Sequence, residues 1–261
     1  HCMECGHCQA ACPVGAVEVE GLCQTLGLKT IEEKEVVKQE DLCDVASMVQ
    51  TMRLRRSCRS YVNKAVQLSI LEDLVRIGTT APSGTNSQGW RFTILPERED
   101  VLVLGKLTAD FYKRLNRVAG IPLARFLSKL FLHDVLGKYY QRYYWSVEEA
   151  LSRWDQKNDD RLFHGAPAVI LVTGKDNASC PAEDAMLATQ NILLAAQTME
   201  LGSCLIGFVV EAAKRDYKLR NKMKIASDEK LYSVIALGYS NEKYARPAGR
   251  KVIQPTILTF G

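Results

Sequence analysis

Apolar residues recur at helical spacing in some stretches of the chain and form strand-length runs in others. Leu42, Val45, Ala46, Val49 and Met52 predict a first helix that runs into a basic turn, L-R-R-S-C-R-S. A second helix over residues 68–77 ends at the breaker-rich loop T-T-A-P-S-G-T-N-S-Q-G-W. Residues 92–95 are placed as a strand, whereas 101–104 alternate too weakly to separate strand from helix. Residues 107–162, rich in Tyr, Leu, Phe and Arg, read as amphipathic helices broken near Gly120-Ile121-Pro122. The run A-P-A-V-I-L-V at 166–172 is apolar throughout, as a strand buried on both faces would be. Pro181, Glu183 and Asp184 suit the first turn of a long helix, and Gly202 is expected to close it. L-Y-S-V-I-A-L at 231–237 predicts a further strand, and the tail 252–260 has β-type residues around Pro255.

The N-terminal end is patterned differently. Val17, Val19 and Gly21 suggest a small strand and turn, and the charged stretch that follows, to residue 39, has too little periodicity for a packed helix. It reads as a solvated linker or exposed helix, so the expected division is 1–39 and 40–261, with 107–162 as a helical insertion or lid.

Composition narrows the class. With 261 residues, 47% hydrophobic and 25% charged, the chain is ordinary globular material for one large domain or one plus an appendage. Apolar runs stay far below the ~18 residues of a membrane span, and no charged-then-apolar leader opens the sequence. The expectation is a cytoplasmic protein with no membrane partner. A net charge of +4, spread along the chain rather than blocked, gives no case for nucleic acid. Anionic cofactors would balance it.

Cysteine is the sharpest signal. Four of nine, Cys2, Cys5, Cys8 and Cys12, crowd into the first twelve residues as C-x2-C-x2-C-x3-C-P, the ferredoxin spacing for a [4Fe–4S] cluster. Zinc is the competing reading, but zinc sites usually set two C-x2-C pairs far apart. Gly6 permits the backbone to curl around a cubane, and Pro13 turns it away. In two-cluster ferredoxins the fourth Cys serves the other cluster, so one or two clusters are expected, and the start at His1 suggests that a first ferredoxin half precedes it. Cys23 and Cys43 are fallback ligands, with burial as small apolar residues the simpler reading. His7 lies inside the cluster loop, where it would tune the potential; His133 and His164 read as structural.

Three further features occur in order. Arg55, Arg56, Ser57 and Arg59 offer guanidinium forks and a hydroxyl suited to a phosphate monoester. Pro82-Ser83-x-x-Asn86 offers amide and hydroxyl groups suited to a heterocycle or ribityl chain, and Arg250 and Lys251 add cations after the last strand. With A-P-S-G-T-N-S-Q-G-W at 81–90, G-S-C-L-I-G-F at 202–208 and A-L-G-Y at 236–239, the chain from about residue 50 onward resembles the nitroreductase family of FMN enzymes. With its head it is similar to ferredoxin-fused nitroreductases of anaerobic prokaryotes.

The resemblance implies an α+β fold, a mixed sheet flanked by helices, in an intertwined homodimer with two FMN sites at the interface. It implies that Arg55, Ser57 and Arg250 bind phosphate with Arg56 beside them. Arg59 would lie near flavin N1 and O2, and Pro82, Ser83 and Asn86 would come from the partner subunit. The Gly207-Phe208 backbone would contact the ring near N5, making Arg59, Gly207 and Phe208 the catalytic set. No G-x-G-x-x-G follows a strand, so NAD(P)H would dock over the flavin, with reduced ferredoxin the other donor. The expected reaction is reduction of a nitro compound, quinone or similar electron-poor organic acceptor. Reductive dehalogenation, flavin breakdown or a non-catalytic redox sensor or electron carrier are the alternatives.

Overall fold

The structure, a computed structural model, describes residues 2–34 and 42–260. The last part of the expected linker, 35–39, lies outside the described residues. Four strands, β1 (Trp90–Leu95), β2 (Ala168–Lys175), β3 (Leu201–Leu205) and β4 (Glu229–Tyr239), form one sheet in the order β1-β2-β4-β3. Every pairing is antiparallel, with Ile170 opposite Ile235 and Leu171 opposite Val234. This corrects the expected mixed sheet. The parallel contact present is a single bridge between Ser57 and Ser203, beside β3.

The physical reason lies in how the sheet is covered. Ala168, Ile170, Val172, Ile235 and Leu237 pack with Leu71 and Leu74 of α3 (Leu68–Gly78) and Ile192 and Leu193 of α8 (Pro181–Thr198). The alternate residues Val169, Leu171, Val234 and Ala236 pack with Val101 and Leu104 of α4 (Arg98–Ala119) and Val209 and Ala212 of α9 (Gly207–Ala213). Both faces are dry. Apolar residues therefore fill both parities of β2 and β4, a signature that two-sided burial produces whatever the strand direction.

Helix α8 opens on Pro181 with Glu183 and Asp184 in its first turn, as expected, but ends at Thr198; Gly202 instead lies inside β3. The ambiguous stretch 101–104 is part of α4. Chain breaks fall at Gly120 and Ile121, and Pro122 opens α5 (Pro122–Phe131). The segment continues through α6 (Val135–Tyr139), a π-helical turn over Tyr140–Tyr144 and α7 (Trp145–Lys157).

Outside this body, α1 (His7–Ala11) carries Cys8, and residues 17–21 form no strand. Helix α2 (Val45–Leu54), capped by Asp44 accepting from Ser47 N at 3.0 Å, forms where its periodicity predicts yet buries none of its residues. The tail 252–260 forms no strand and leaves Val252, Ile253 and Phe260 exposed. No helix among the described residues is long and apolar enough to cross a membrane.

Candidate cofactor and substrate site

The basic turn is pinned to the edge of the sheet. Cys58 N donates to Ser203 O at 2.9 Å, and the buried Cys58 thiol reaches Ser60 O at 3.2 Å. In such an extended segment alternate residues share a side, which sends Cys58 inward and puts Arg55, Ser57 and Arg59 together on the other side. The neighbouring thiol of Cys204 registers all three. Burial pushes its pKa up, while Arg59, the Ser57 hydroxyl and Arg55 oppose that rise.

Beyond Cys204 the chain turns into α9 at Gly207-Phe208. Arg59, Cys204, Gly207 and Phe208 line one cavity of about 1560 Å³ whose opposite wall comes from residues 107–162. That wall is tied to the turn: Tyr112 Oη donates to Phe208 O at 3.0 Å, and the Tyr112 and Tyr143 rings stand edge-on to Phe208 at 5.4 and 6.0 Å. Tyr139 Oη donates to Asn116 Oδ1 at 2.6 Å, and Asn116 Nδ2 to Glu148 at 2.7 Å, so the wall has fixed orientations. Burial raises the pKa of both Tyr112 and Tyr139, which stay neutral phenols.

A smaller cavity of about 420 Å³ adjoins it, and Arg59, Arg161 and His164 line both. Asp160 shapes the turn that carries His164: it accepts from Phe163 N at 2.8 Å, Leu162 N at 3.1 Å and Arg98 Nη2 at 2.8 Å. His164 has φ 57° and is half-buried; burial chiefly, with Arg59 and Arg161, lowers its pKa against the pull of Asp160. Sequence reasoning read His164 as structural, and nothing in a lone histidine signals a position between two cavities. Ser233, on β4, was also missed; the residue is among those lining the large cavity, and its buried Oγ has no hydrogen-bond partner among the described residues.

The other expected residues lie elsewhere. Arg56 lies over the Tyr244 ring at 5.6 Å, and Arg250, in the exposed tail, reaches only the adjacent Gly249 O, at 3.3 Å. Neither is seen to contact Arg55 or Ser57 in this chain, and the tail that carries Arg250 is exposed. Pro82, Ser83 and Asn86 sit on a loop held by Asp184, which accepts from Gly84 N at 2.9 Å, and that loop does not line the Arg59 cavity. Asn86 Nδ2 instead donates to Glu4 O in the head at 2.7 Å.

In the head, Gly6 takes φ 72° and curls the chain into α1, as its position predicts. Cys2, Cys5 and Cys8 are exposed and Cys12 is half-buried. Cys12 Sγ accepts from Ala16 N at 3.2 Å, and its pKa is lowered by the backbone N–H groups of Val14 and Ala16. Among the described residues no three His, Cys, Asp or Glu side chains converge as a metal site. The four thiols thus have the right chemistry for a cluster but are not assembled as one ligand set, because Cys12 is turned to its own backbone loop. Cys23 and Cys43 are exposed, not buried as small apolar residues.

Groups suited to a planar anionic cofactor lie at the Arg59 edge of the large cavity. Arg59 brings a cation to the cavity, Arg55 and Ser57 belong to the same basic turn, and Gly207 leaves open space, with no heavy atom within 4 Å of where a Cβ would stand. Flavin mononucleotide fits this set.

Comparison with known proteins agrees. Over 59 residues the chain is 36% identical to an iodotyrosine deiodinase of Haliscomenobacter hydrossis, a match spanning 23% of this chain and 27% of that protein. Over 189 residues it is 25% identical to a putative NADH dehydrogenase/NAD(P)H nitroreductase of Archaeoglobus fulgidus, covering 72% of this chain and 83% of that one. A nitroreductase with bound FMN from Desulfitobacterium hafniense shares the fold at a TM-score of 0.57 and 20% identity, covering 78% of this chain and 93% of that one. The sequence pattern of the nitroreductase family matches residues 52–239, and the chain belongs to that family.

Proposed function

We propose that the protein is an FMN-dependent oxidoreductase that reduces a nitro compound, quinone or similar electron-poor organic acceptor. The observation that carries this reading is that Arg59, at the end of the basic turn, lines one cavity with Gly207 and Phe208. When bound, FMN supplies the two-electron redox chemistry between a donor, NAD(P)H or reduced ferredoxin, and the acceptor. Arg55 and Ser57 hold its phosphate by charge-assisted hydrogen bonds. Arg59, with no acidic partner among the described residues, holds positive charge where reduction leaves negative charge on the ring. The Gly207-Phe208 backbone would lie against the flavin, and the tyrosine wall would shield it from water.

The homodimer belongs to the same proposal. Helix α2 leaves Met48, Val49 and Met52 exposed, and the tail leaves Ile257, Leu258 and Phe260 exposed; apolar surface of this extent marks an interaction face. Packed on a second copy, the tail brings Arg250 to a phosphate site, and the 82–86 loop reaches the partner's flavin. The cysteine run is proposed as a [4Fe–4S] segment on its spacing alone, and the turnover described here does not draw on it. A second reading, reductive dehalogenation of a haloaromatic, is favoured by the local likeness to iodotyrosine deiodinase.

Flavin released from the purified protein and its turnover test the proposal together. One FMN per chain is expected, with NAD(P)H oxidation driven by a quinone or nitroarene. Arg59→Ala should lower kcat/KM by about 10- to 100-fold, as loss of one charge-stabilising group does. Bound FAD or no flavin at all would overturn the reading, and halide release without nitroreduction would transfer it to the second one.

A further inference from the structure

The large cavity carries more positive charge than a flavin needs, and its surplus lies on the aromatic wall. Arg59, Lys138, Arg142, Arg161, Lys214 and Arg215 line it, against a single carboxylate, Glu211. Lys214 and Arg215 share that carboxylate at 2.6 and 2.7 Å. Lys138 and Arg142 have no acidic partner among the described residues; Lys138 Nζ donates to His133 O at 3.1 Å. Both belong to the segment that bears Tyr139 and Tyr143, and Arg142 stands in the π-helical turn. Such turns re-aim side chains and recur at functional sites.

Size points the same way. A cavity of about 1560 Å³ exceeds the ~1,000 Å³ upper range of pockets for one small molecule. With a flavin at the Arg59 and Phe208 edge, the space left lies beside Tyr112, Tyr139 and Tyr143. The Tyr139 and Tyr143 rings stand 6.3 Å apart at 35°, the first half-buried and the second exposed, so they offer apolar surface to a flat guest, while Tyr112 is buried beside Tyr139. An anion there meets a guanidinium fork and an ammonium, neither of them paired with a carboxylate among the described residues, since Glu211 is taken by Lys214 and Arg215.

We propose that the acceptor is a planar, fused-ring aromatic acid, its rings on the tyrosine wall and its carboxylate or sulfonate on Lys138 and Arg142. This rests on the FMN oxidoreductase reading and names its substrate class. Lys138 and Arg142 then set specificity, whereas Arg55, Ser57 and Arg59 serve the cofactor.

Equilibrium binding of anthracene-9-carboxylate, its neutral counterpart anthracene-9-methanol and the single-ring benzoate tests this, with the protein both FMN-loaded and stripped of flavin. The acid is expected to bind about 10-fold tighter than the alcohol and about 10-fold tighter than benzoate, each factor being one decade of Kd. The Lys138→Ala/Arg142→Ala variant should bring acid and alcohol to within about twofold of each other while FMN content and alcohol affinity hold. Arg142→Lys should keep most of the preference, as a charge effect requires. If the double variant is insoluble, Arg142→Gln alone should lose about threefold of the acid's advantage. Equal affinity of the native protein for acid and alcohol overturns the proposal. So does loss of FMN together with the acid preference, which would assign these cations to the cofactor phosphate. Absence of flavin from the native protein is a failure of the enzyme reading instead, and the acid preference remains measurable on the stripped form.

Discussion

Residues 2–34 contribute no buried side chain, whereas the segment 107–162 contributes Thr108, Tyr112, Asn116, Ala119 and Val147 to the interior. The head is held by backbone N–H groups on carboxylates: Lys29 N and Thr30 N donate to the buried Asp73 at 2.7 Å, and Thr30 Oγ1 donates to it at 2.6 Å. Within the head Leu26 N and Leu28 N donate to Glu33 at 2.6 and 2.5 Å, and Asn86 reaches the head through Glu4 O. The lid uses ionised acceptors too, Glu148 for Asn116 and Asp160 for Arg98, but adds buried rings and apolar contact that the head lacks. That contact does not depend on charge state, so the head can be released while the lid stays.

The strongest way to break this contrast is Tyr112→Ala, which removes a buried ring and the hydroxyl that holds Phe208 O. A loss of about 3–5 kcal/mol is expected, the scale of large aromatic truncations, and it should appear as lower global stability in denaturant titration. A loss confined to the lid, with the global midpoint unchanged, would show the lid to be an independent unit.

Asp73→Asn should cost about 1–3 kcal/mol, the scale of a buried acceptor with charged hydrogen bonds. The effect should be local. Hydrogen exchange at Lys29 and Thr30 should speed up while amides of α4 keep their protection.

Acid should separate the two regions by pH window. Burial raises the Asp73 pKa, but the Thr30 hydroxyl, the Lys29 and Thr30 N–H groups and Arg76 outweigh it and leave it lowered. Its stabilisation is therefore full above the ordinary carboxylate value and lost as pH falls through the folded pKa. His164 also has a lowered pKa, so the unfolded chain takes its proton first, and the cavity side loses stability from just below the ordinary imidazole value. Exchange measured across pH should show the His164 turn weakening first and the Lys29-Thr30 contact later. Asp73→Asn should abolish the second step alone.

The smallest effect is expected of Asn86→Ala, about 0.5–1.5 kcal/mol for one exposed hydrogen bond to Glu4 O. Head exchange should rise slightly, and flavin content of a protomer without its partner should not change. A large loss of flavin in the dimer would support the 82–86 loop as a shared element of the site.

Legibility in the sequence followed burial and locality. Strands β2 and β4 were visible because both faces are apolar, and for the same reason their direction was not. Helix α2 was visible from its stripe, but a stripe names no partner, and here it meets α8 without burying any of its residues. Arg55, Arg56, Ser57 and Arg59 could be grouped because they crowd one basic turn, and of these Arg59 lines the cavity. Arg250 was an expectation from resemblance, and its tail is exposed. The aromatic stretch 107–162 was read as amphipathic helices, which α4 to α7 bear out, in an insertion or lid. Lys138 and Arg142 were invisible, since charges on a helix ordinarily face water and only the fold of α6 and the π-helical turn places them at a cavity.

The seat of α7 on α4 has a bearing on how this protein diverges. A Cβ on Gly105 would stand 2.8 Å from the Trp154 ring and 3.7 Å from Phe163, so the two helices meet over a missing side chain. Position 105 thus admits one residue type, while the stretch between the two helices, from Leu123 to Tyr143, is mostly surface and tolerates exchange. Mutational drift can rewrite which guests the wall accepts without disturbing the scaffold that carries it.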